Sequence, residues 1–324
     1  MSEAQMASVP EAASVPELAS VSEAASVLEL ASVSEAASVS ELAVPSRVGV
    51  VGGGRMGVGI AHAFLLAGSQ VLILERDAEA AERAQAGLAT AARRSVERST
   101  TQEDESALLA RIDVTTDLSA LGASGLVIEA VPEDLDLKVS MLTKIEAVLA
   151  DDAWLASNTS SLSIDLLTAT LTRPERFCGL HFFNPVPSST LVEIVNGSQT
   201  SVALTDAARG WVRMIGKTPI VVKDSPGFAS SRLGVVIALE AIRMLEDGVA
   251  SAEDIDTAMV LGYKFPVGPL HLTDLVGLDV RLGIAEYLHS TLGERFAPPA
   301  LLREKVAAGQ LGRKTGEGFF TWSE

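Results

Sequence analysis

One stretch limits the possible folds more than any other. Val48-Gly49-Val50-Val51 is an apolar run of strand length, and Gly52-Gly53-Gly54-Arg55-Met56-Gly57 follows it directly. A helical apolar segment runs from Val58 to Leu66, Gly68 ends it, and Val71-Leu72-Ile73-Leu74 reads as a second strand stopping at Glu75. Strand, GxGxxG, helix, strand, acid is the order of a βαβ unit that holds a dinucleotide. Gly52 allows the tight turn, Gly53 extends it, and Gly54 lets the backbone approach a pyrophosphate. Gly57 lets helix pack closely on strand. Arg55 and Met56 complete the loop, and the helix start offers N–H groups and a positive dipole end to phosphates. Glu75 stands where a carboxylate can bond the adenosine ribose hydroxyls and repel a 2′-phosphate, which favours NAD. Arg76, able to hold such a phosphate, keeps NADP open.

The 324 residues suffice for two domains, and a hydrophobic fraction of 48% supplies their cores. Three segments are expected: a tail over 1–46, a Rossmann domain over 47–224, and a helical domain over 225–324. Six hexads of the type ASVPEA or ASVSEL fill 7–42. A six-residue period gives neither a fixed helical stripe nor an apolar strand face, so this segment is expected to be a disordered low-complexity tail. It also lacks the basic residues of a targeting sequence.

Seven glutamates in the tail leave the rest of the chain at −10, out of a net −17. That excludes a nucleic-acid binder, which needs clustered Lys and Arg. No apolar run is long enough for a membrane span. The single cysteine, Cys178, forbids an intrachain disulfide and fits a cytoplasmic protein. The four histidines are too scattered for a zinc site.

Chemistry is expected where apolar strands end in polar residues. Trp154-Leu155-Ala156 runs into Ser157-Asn158-Thr159-Ser160-Ser161, and Cys178-Gly179-Leu180 runs into His181-Phe182-Phe183-Asn184-Pro185. Taken alone, His181 reads equally well as a core histidine. Twelve residues on, Glu193 interrupts the apolar run Leu191-Val192-Glu193-Ile194-Val195. An isolated buried carboxylate is costly, so it needs a partner. A His–Glu pair explains both residues: the acid fixes the ring tautomer, and the ring takes a proton. Lys138 reads either as a solvated helix residue or as a cofactor contact.

The motifs GGGRMG, EAVPEDLDLK, SNTSSLSI, HFFNPVP, LVEIV, DSPGF and GRKTGEGFF, in this order from about Arg47 to Trp322, resemble the L-3-hydroxyacyl-CoA dehydrogenases, nearest their 3-hydroxybutyryl-CoA branch. The resemblance implies NAD-dependent interconversion of an L-3-hydroxyacyl-CoA and a 3-oxoacyl-CoA. It makes His181 the general base, Glu193 its orienting partner and Ser160 a contact to the substrate's 3-oxygen. Glu133, Lys138, Ser160, Asn184 and Lys314 fall at positions of the NAD site. The helical domain would close over the substrate cleft and form a homodimer. Basic residues on the helix after the second strand would meet CoA, with Arg83, Arg93, Arg94 and Arg98 as candidates or as a solvated face.

Two positions depart from the pattern. Ser231 stands where the family has a substrate-holding Asn, and Thr190 where it usually has Lys. Ser is shorter but still donates one hydrogen bond, directly or through water. A dehydrogenase of a small non-CoA hydroxy acid, gulonate- or carnitine-like, therefore stays open. So does a nucleotide-binding protein with little activity. From Leu233 to Asp247 and from Leu275 to Leu292 the spacing is helical; His271 and His289 there read as structural or surface residues.

Overall fold

The computed structural model describes residues 44–323; the hexad repeats lie outside them. Eight strands form one sheet in the order β3-β2-β1-β4-β5-β6-β7-β8. They are Arg47–Val51 (β1), Gln70–Leu74 (β2), Ile112–Thr115 (β3), Leu126–Glu129 (β4), Trp154–Ser157 (β5), Phe177–Phe182 (β6), Leu191–Asn196 (β7) and Thr218–Lys223 (β8). All neighbours pair in parallel except β6 and β7. The chain order thus reverses at β1, between β2 and β4, which is the switch point where such sheets hold ligands. This is a Rossmann-type sheet with two reversed strands added at one edge.

β1, β4 and β6 are buried almost throughout, as a sheet covered on both faces requires. One face carries the helices Arg55–Leu66 (α1), Ala78–Glu97 (α2) and Val202–Met214 (α6), joined in a core around Ile60, Phe64, Leu88 and Trp211. The other carries Leu135–Val148 (α4) and Ile164–Thr168 (α5) around Leu142, Ile145 and Phe177. The short α3, Glu105–Leu109, precedes β3. Asp77, Asp134, Ser163 and Ser201 cap α2, α4, α5 and α6 by accepting from a backbone N–H three residues on.

After β8 the chain is helical: Ser230–Glu246 (α7), Ala252–Thr257 (α8), Pro269–Val276 (α9), Leu278–Leu292 (α10) and Ala300–Ala307 (α11). Val235, Leu239, Ile242, Leu278, Ala285 and Leu288 build their core. The single helix expected from Leu275 to Leu292 is two helices, because Gly277 breaks it at φ 104°. The last residues return to α9: buried Asp274 accepts hydrogen bonds from the amides of Phe319 and Phe320 and from the Trp322 indole. His271 packs against the rings of Phe320 and Trp322. No helix among the described residues is long and apolar enough to cross a membrane.

Candidate active site

The glycine loop has the form that its sequence requires. Gly52 sits at φ +97°, and a Cβ there would lie 2.9 Å from the Ala130 carbonyl oxygen. A Cβ on Gly57 would lie 1.7 Å from the Gly52 oxygen, so no side chain fits between α1 and the turn. Around Gly54 there is nothing within 4 Å of such an atom, which leaves open space at the start of α1. Glu75, at the end of β2, accepts a 2.6 Å hydrogen bond from the Gly53 amide. Its carboxylate therefore stands beside the loop. The Arg76 guanidinium turns to Asp77 at 2.9 Å instead. An open glycine cradle with an acid at its side suits a dinucleotide with a free ribose, which is NAD.

Next along the rim, β4 ends in Glu129, wholly buried. Lys138 on α4 meets both its oxygens, at 2.7 and 3.0 Å, and Ser157 at the end of β5 donates to it at 2.5 Å. Lys138 is 1% exposed, so the reading of it as a solvated residue does not hold. Its ammonium also meets the Val131 carbonyl and, at 3.3 Å, Glu133. Glu133 in turn accepts from the Thr159 hydroxyl at 2.6 Å and from the Ser160 and Ser161 amides at 2.8 and 3.1 Å. Burial works to raise the Glu133 carboxyl; Lys138, Thr159 and Ser160 outweigh it and hold it below the usual range. The acid expected at the cofactor site thus also shapes the loop carrying Ser160.

The strands β6 and β7 create the second centre. They run antiparallel with His181 directly opposite Glu193, so both side chains leave the same face. His181 Nδ1 lies 2.7 Å from Glu193 Oε2. The Ser230 hydroxyl donates to the same oxygen at 2.7 Å, and the Ala229 and Ser230 amides donate to Oε1 at 3.2 and 2.9 Å. The first turn of α7 therefore grips the carboxylate. Burial alone would raise the Glu193 carboxyl, but His181 and Ser230 hold it below the usual range. Phe183 and Phe228 flank the imidazole at 4.3 and 5.8 Å between ring centres. With Nδ1 turned to an anionic carboxylate, Nε2 is the nitrogen left to accept a proton. Asn158 ties the two centres by accepting from the Phe182 amide at 2.9 Å.

Asn184 is exposed on the loop after β6, before a cis bond to Pro185. Ser231 is half-buried beside Ser230. Lys314 is not brought to the glycine loop; its ammonium meets both oxygens of Asp279 at 2.6 Å, in the first turn of α10. Of the arginines weighed for CoA, three lie on α2 and Arg98 follows its end; Arg83 pairs with Glu79 and Arg93 with Glu105. Arg94 and Arg98, with Lys217, line a cavity of about 330 Å³ between α1 and α2 that also holds His62 and Ser95. Ser230 and Glu129 were not singled out from the sequence. A carboxylate closing an apolar strand with a lysine nine residues on was a signal for Glu129; Ser230 had none beyond its place after DSPGF.

A Rossmann-type sheet whose glycine loop fits NAD, with an acid-paired histidine on the same rim, defines an NAD-dependent dehydrogenase. Residues 47–225 match the family described as 3-hydroxyacyl-CoA dehydrogenase, NAD binding domain, and residues 227–322 match its C-terminal domain. The chain belongs to the 3-hydroxyacyl-CoA dehydrogenase family. It is 42% identical over 289 residues to a 3-hydroxybutyryl-CoA dehydrogenase of Mycobacterium tuberculosis, covering 86% of this chain and 98% of that protein. It is 41% identical over 284 residues to one of Bradyrhizobium diazoefficiens, covering 86% and 96%. The crystal structure of an (S)-3-hydroxybutyryl-CoA dehydrogenase from Ralstonia eutropha superposes with a TM-score of 0.82 at 41% identity, over 87% of this chain and all of that one.

Proposed function

We propose that this enzyme interconverts a short-chain L-3-hydroxyacyl-CoA, such as 3-hydroxybutyryl-CoA, and the 3-oxoacyl-CoA. The observation that carries this reading is the His181–Glu193 pair, buried, 2.7 Å apart and closed by Ser230. In oxidation, His181 Nε2 takes the hydroxyl proton, and Glu193 steadies the imidazolium that results. NAD, when bound, accepts the electron pair that leaves the carbinol carbon with its hydrogen. Ser160 donates to the 3-oxygen, and Ser231 contributes a second, shorter-reaching donor in place of the family Asn. Gly52, Gly53, Gly54, Arg55, Met56, Gly57 and Glu75 hold the dinucleotide, with Glu133, Asn184 and Lys314 at its far end. Lys138 serves through Glu133.

Arg94, Arg98 and Lys217 favour a CoA thioester over a free hydroxy acid. They are three cations around one cavity, and neither arginine has a carboxylate partner among the described residues. Anionic CoA groups would satisfy the two arginines, while Lys217 already donates to the Val186 and Ser189 carbonyls. The division of the chain at 224/225, a homodimer through the helical part, and a cytoplasmic location are further parts of this reading. The exposed Leu261, Tyr263, Leu275 and Val280 support the dimer, and the free buried thiol of Cys178 supports a reducing compartment.

The test is oxidation of NADH by acetoacetyl-CoA, run beside NADPH and beside free acetoacetate. Turnover is expected only with NADH and the thioester together. Equal turnover of the free acid would move the substrate to a non-CoA hydroxy acid, and equal turnover of NADPH would remove the role of Glu75.

A further inference from the structure

Among the described residues, Arg281 is the one cation buried in the helical core. It projects from α10 on the same stripe as Leu278, Ala285 and Leu288, all three wholly buried, and is itself 7% exposed. Its Nε has no hydrogen-bond partner among the described residues, and no carboxylate there pairs with it. The acid nearest in sequence, Asp279, is already taken by Lys314. Burial pushes the guanidinium down to about 10, so it keeps its charge at neutral pH. A buried, unpaired charge is costly and calls for a counter-ion.

The location of the guanidinium says what that counter-ion is. A Cβ built on Gly234 would lie 3.1 Å from its Nη1, so the guanidinium lies over the one place on α7 without a side chain. Gly234 is three residues beyond Ser231, on the same helix face, and both are half-buried. Ser230, the residue before, bonds Glu193 directly. The guanidinium is therefore roughly 6 Å along the α7 axis from the turn that grips the catalytic pair. The carbinol carbon must sit against His181. With the CoA end assigned to the cavity between α1 and α2, the free end of the acyl chain is what remains to meet this part of α7.

We infer that Arg281 binds a carboxylate at the far end of the acyl chain, so that the preferred substrate is a short 3-hydroxyacyl-CoA ending in an acid rather than in a methyl group. This rests on the CoA reading above. Ser231 suits it, being smaller than Asn and leaving room beside the fork. A guanidinium takes a carboxylate with two parallel hydrogen bonds, and a methyl end would leave it unpaired.

The experiment compares kcat/KM for two pairs of thioesters that differ only at the chain end: 3-hydroxyadipyl-CoA against 3-hydroxyhexanoyl-CoA, and 3-hydroxyglutaryl-CoA against 3-hydroxyvaleryl-CoA. In at least one pair the acid-ended ester is preferred, and Arg281→Met lowers that ratio on the order of 10- to 100-fold. Arg281→Lys restores part of it, because it keeps the charge and loses the fork. Arg281→Met removes an orphan charge from an apolar core and should fold at least as firmly as the wild type, as a melting curve will check. A wild-type preference for the methyl end in both pairs overturns the inference. So does a ratio that Arg281→Met leaves unmoved, whatever becomes of the oligomeric state, since Arg281 would then pair within the protein. Turnover of the methyl-ended esters in those cases leaves the CoA reading standing; no turnover of any thioester by an NADH-binding wild type removes both.

Discussion

Glu129 and Glu193 are both wholly buried carboxylates on the same rim of the sheet, and they are neutralised in opposite ways. Glu129 faces Lys138, nine residues away in its own βα unit, which meets both its oxygens; the Val131 amide and the Ser157 hydroxyl add one donor to each. The cation is permanent and the set is closed. Glu193 faces a histidine across an antiparallel pair and is held from the other side by residues 36 and 37 positions later. Its partner can gain and lose a proton. A fixed cation makes a strut; a titratable one makes a base. The first centre orders the loop that carries Ser160, and the second delivers the proton chemistry.

That contrast can be broken by exchanging the kinds of damage. His181→Ala should lower kcat roughly a thousandfold while NADH affinity, measured by fluorescence titration, holds. A collapse of NADH binding would make His181 a strut after all. Lys138→Met leaves Glu129 without its counter-charge and should cost about 3–5 kcal/mol in urea unfolding. A stable Lys138→Met enzyme, slow only in turnover, would place Lys138 on the reactive side of the comparison.

Ser230→Ala is the finer probe. Loss of one hydrogen bond to a charged group should cost about 1.5–3 kcal/mol, read in stability or as slower turnover. Its pH dependence has a definite sign. The Glu193 carboxyl is held below its ordinary value, so its contribution to stability is complete above the ordinary carboxylate range, near ~4.3. That contribution is lost as pH falls through the depressed folded value. Without the Ser230 donor the folded value rises, so the acid loss in urea midpoints should begin at a higher pH than in the wild type. Identical acid limbs would mean that the Ser230 hydroxyl does not set the Glu193 carboxyl.

What could be read beforehand follows from how local each cause is. The glycine loop was legible because Gly52 and Gly57 answer to clashes within a few residues. His181 and Glu193 were legible because an acid inside an apolar strand demands an explanation. Lys138 was left open between a solvated residue and a cofactor contact, because hydrophobic spacing says nothing about which carboxylate a lysine will meet. The break at Gly277 was hidden by apolar spacing that continues through it; only the positive φ marks it. Arg281 was passed over, although it interrupts the apolar stripe of Leu278, Ala285 and Leu288; only the packing of α10 on α7 shows that this stripe is buried.

The reversal between β6 and β7 has a consequence for how such an enzyme can change over generations. Successive residues of a strand point to opposite sides, and Val192 and Ile194, on either side of Glu193, belong to the core under α6. One codon gained or lost within the six residues of β7 would turn the carboxylate into that core and an aliphatic side chain toward His181. The same change at exposed Ser188, in the loop before β7, would only lengthen or shorten a turn. The proton chemistry is thus stored as a parity, odd against even along one short strand. Insertions and deletions should be tolerated on one side of Leu191 and purged on the other.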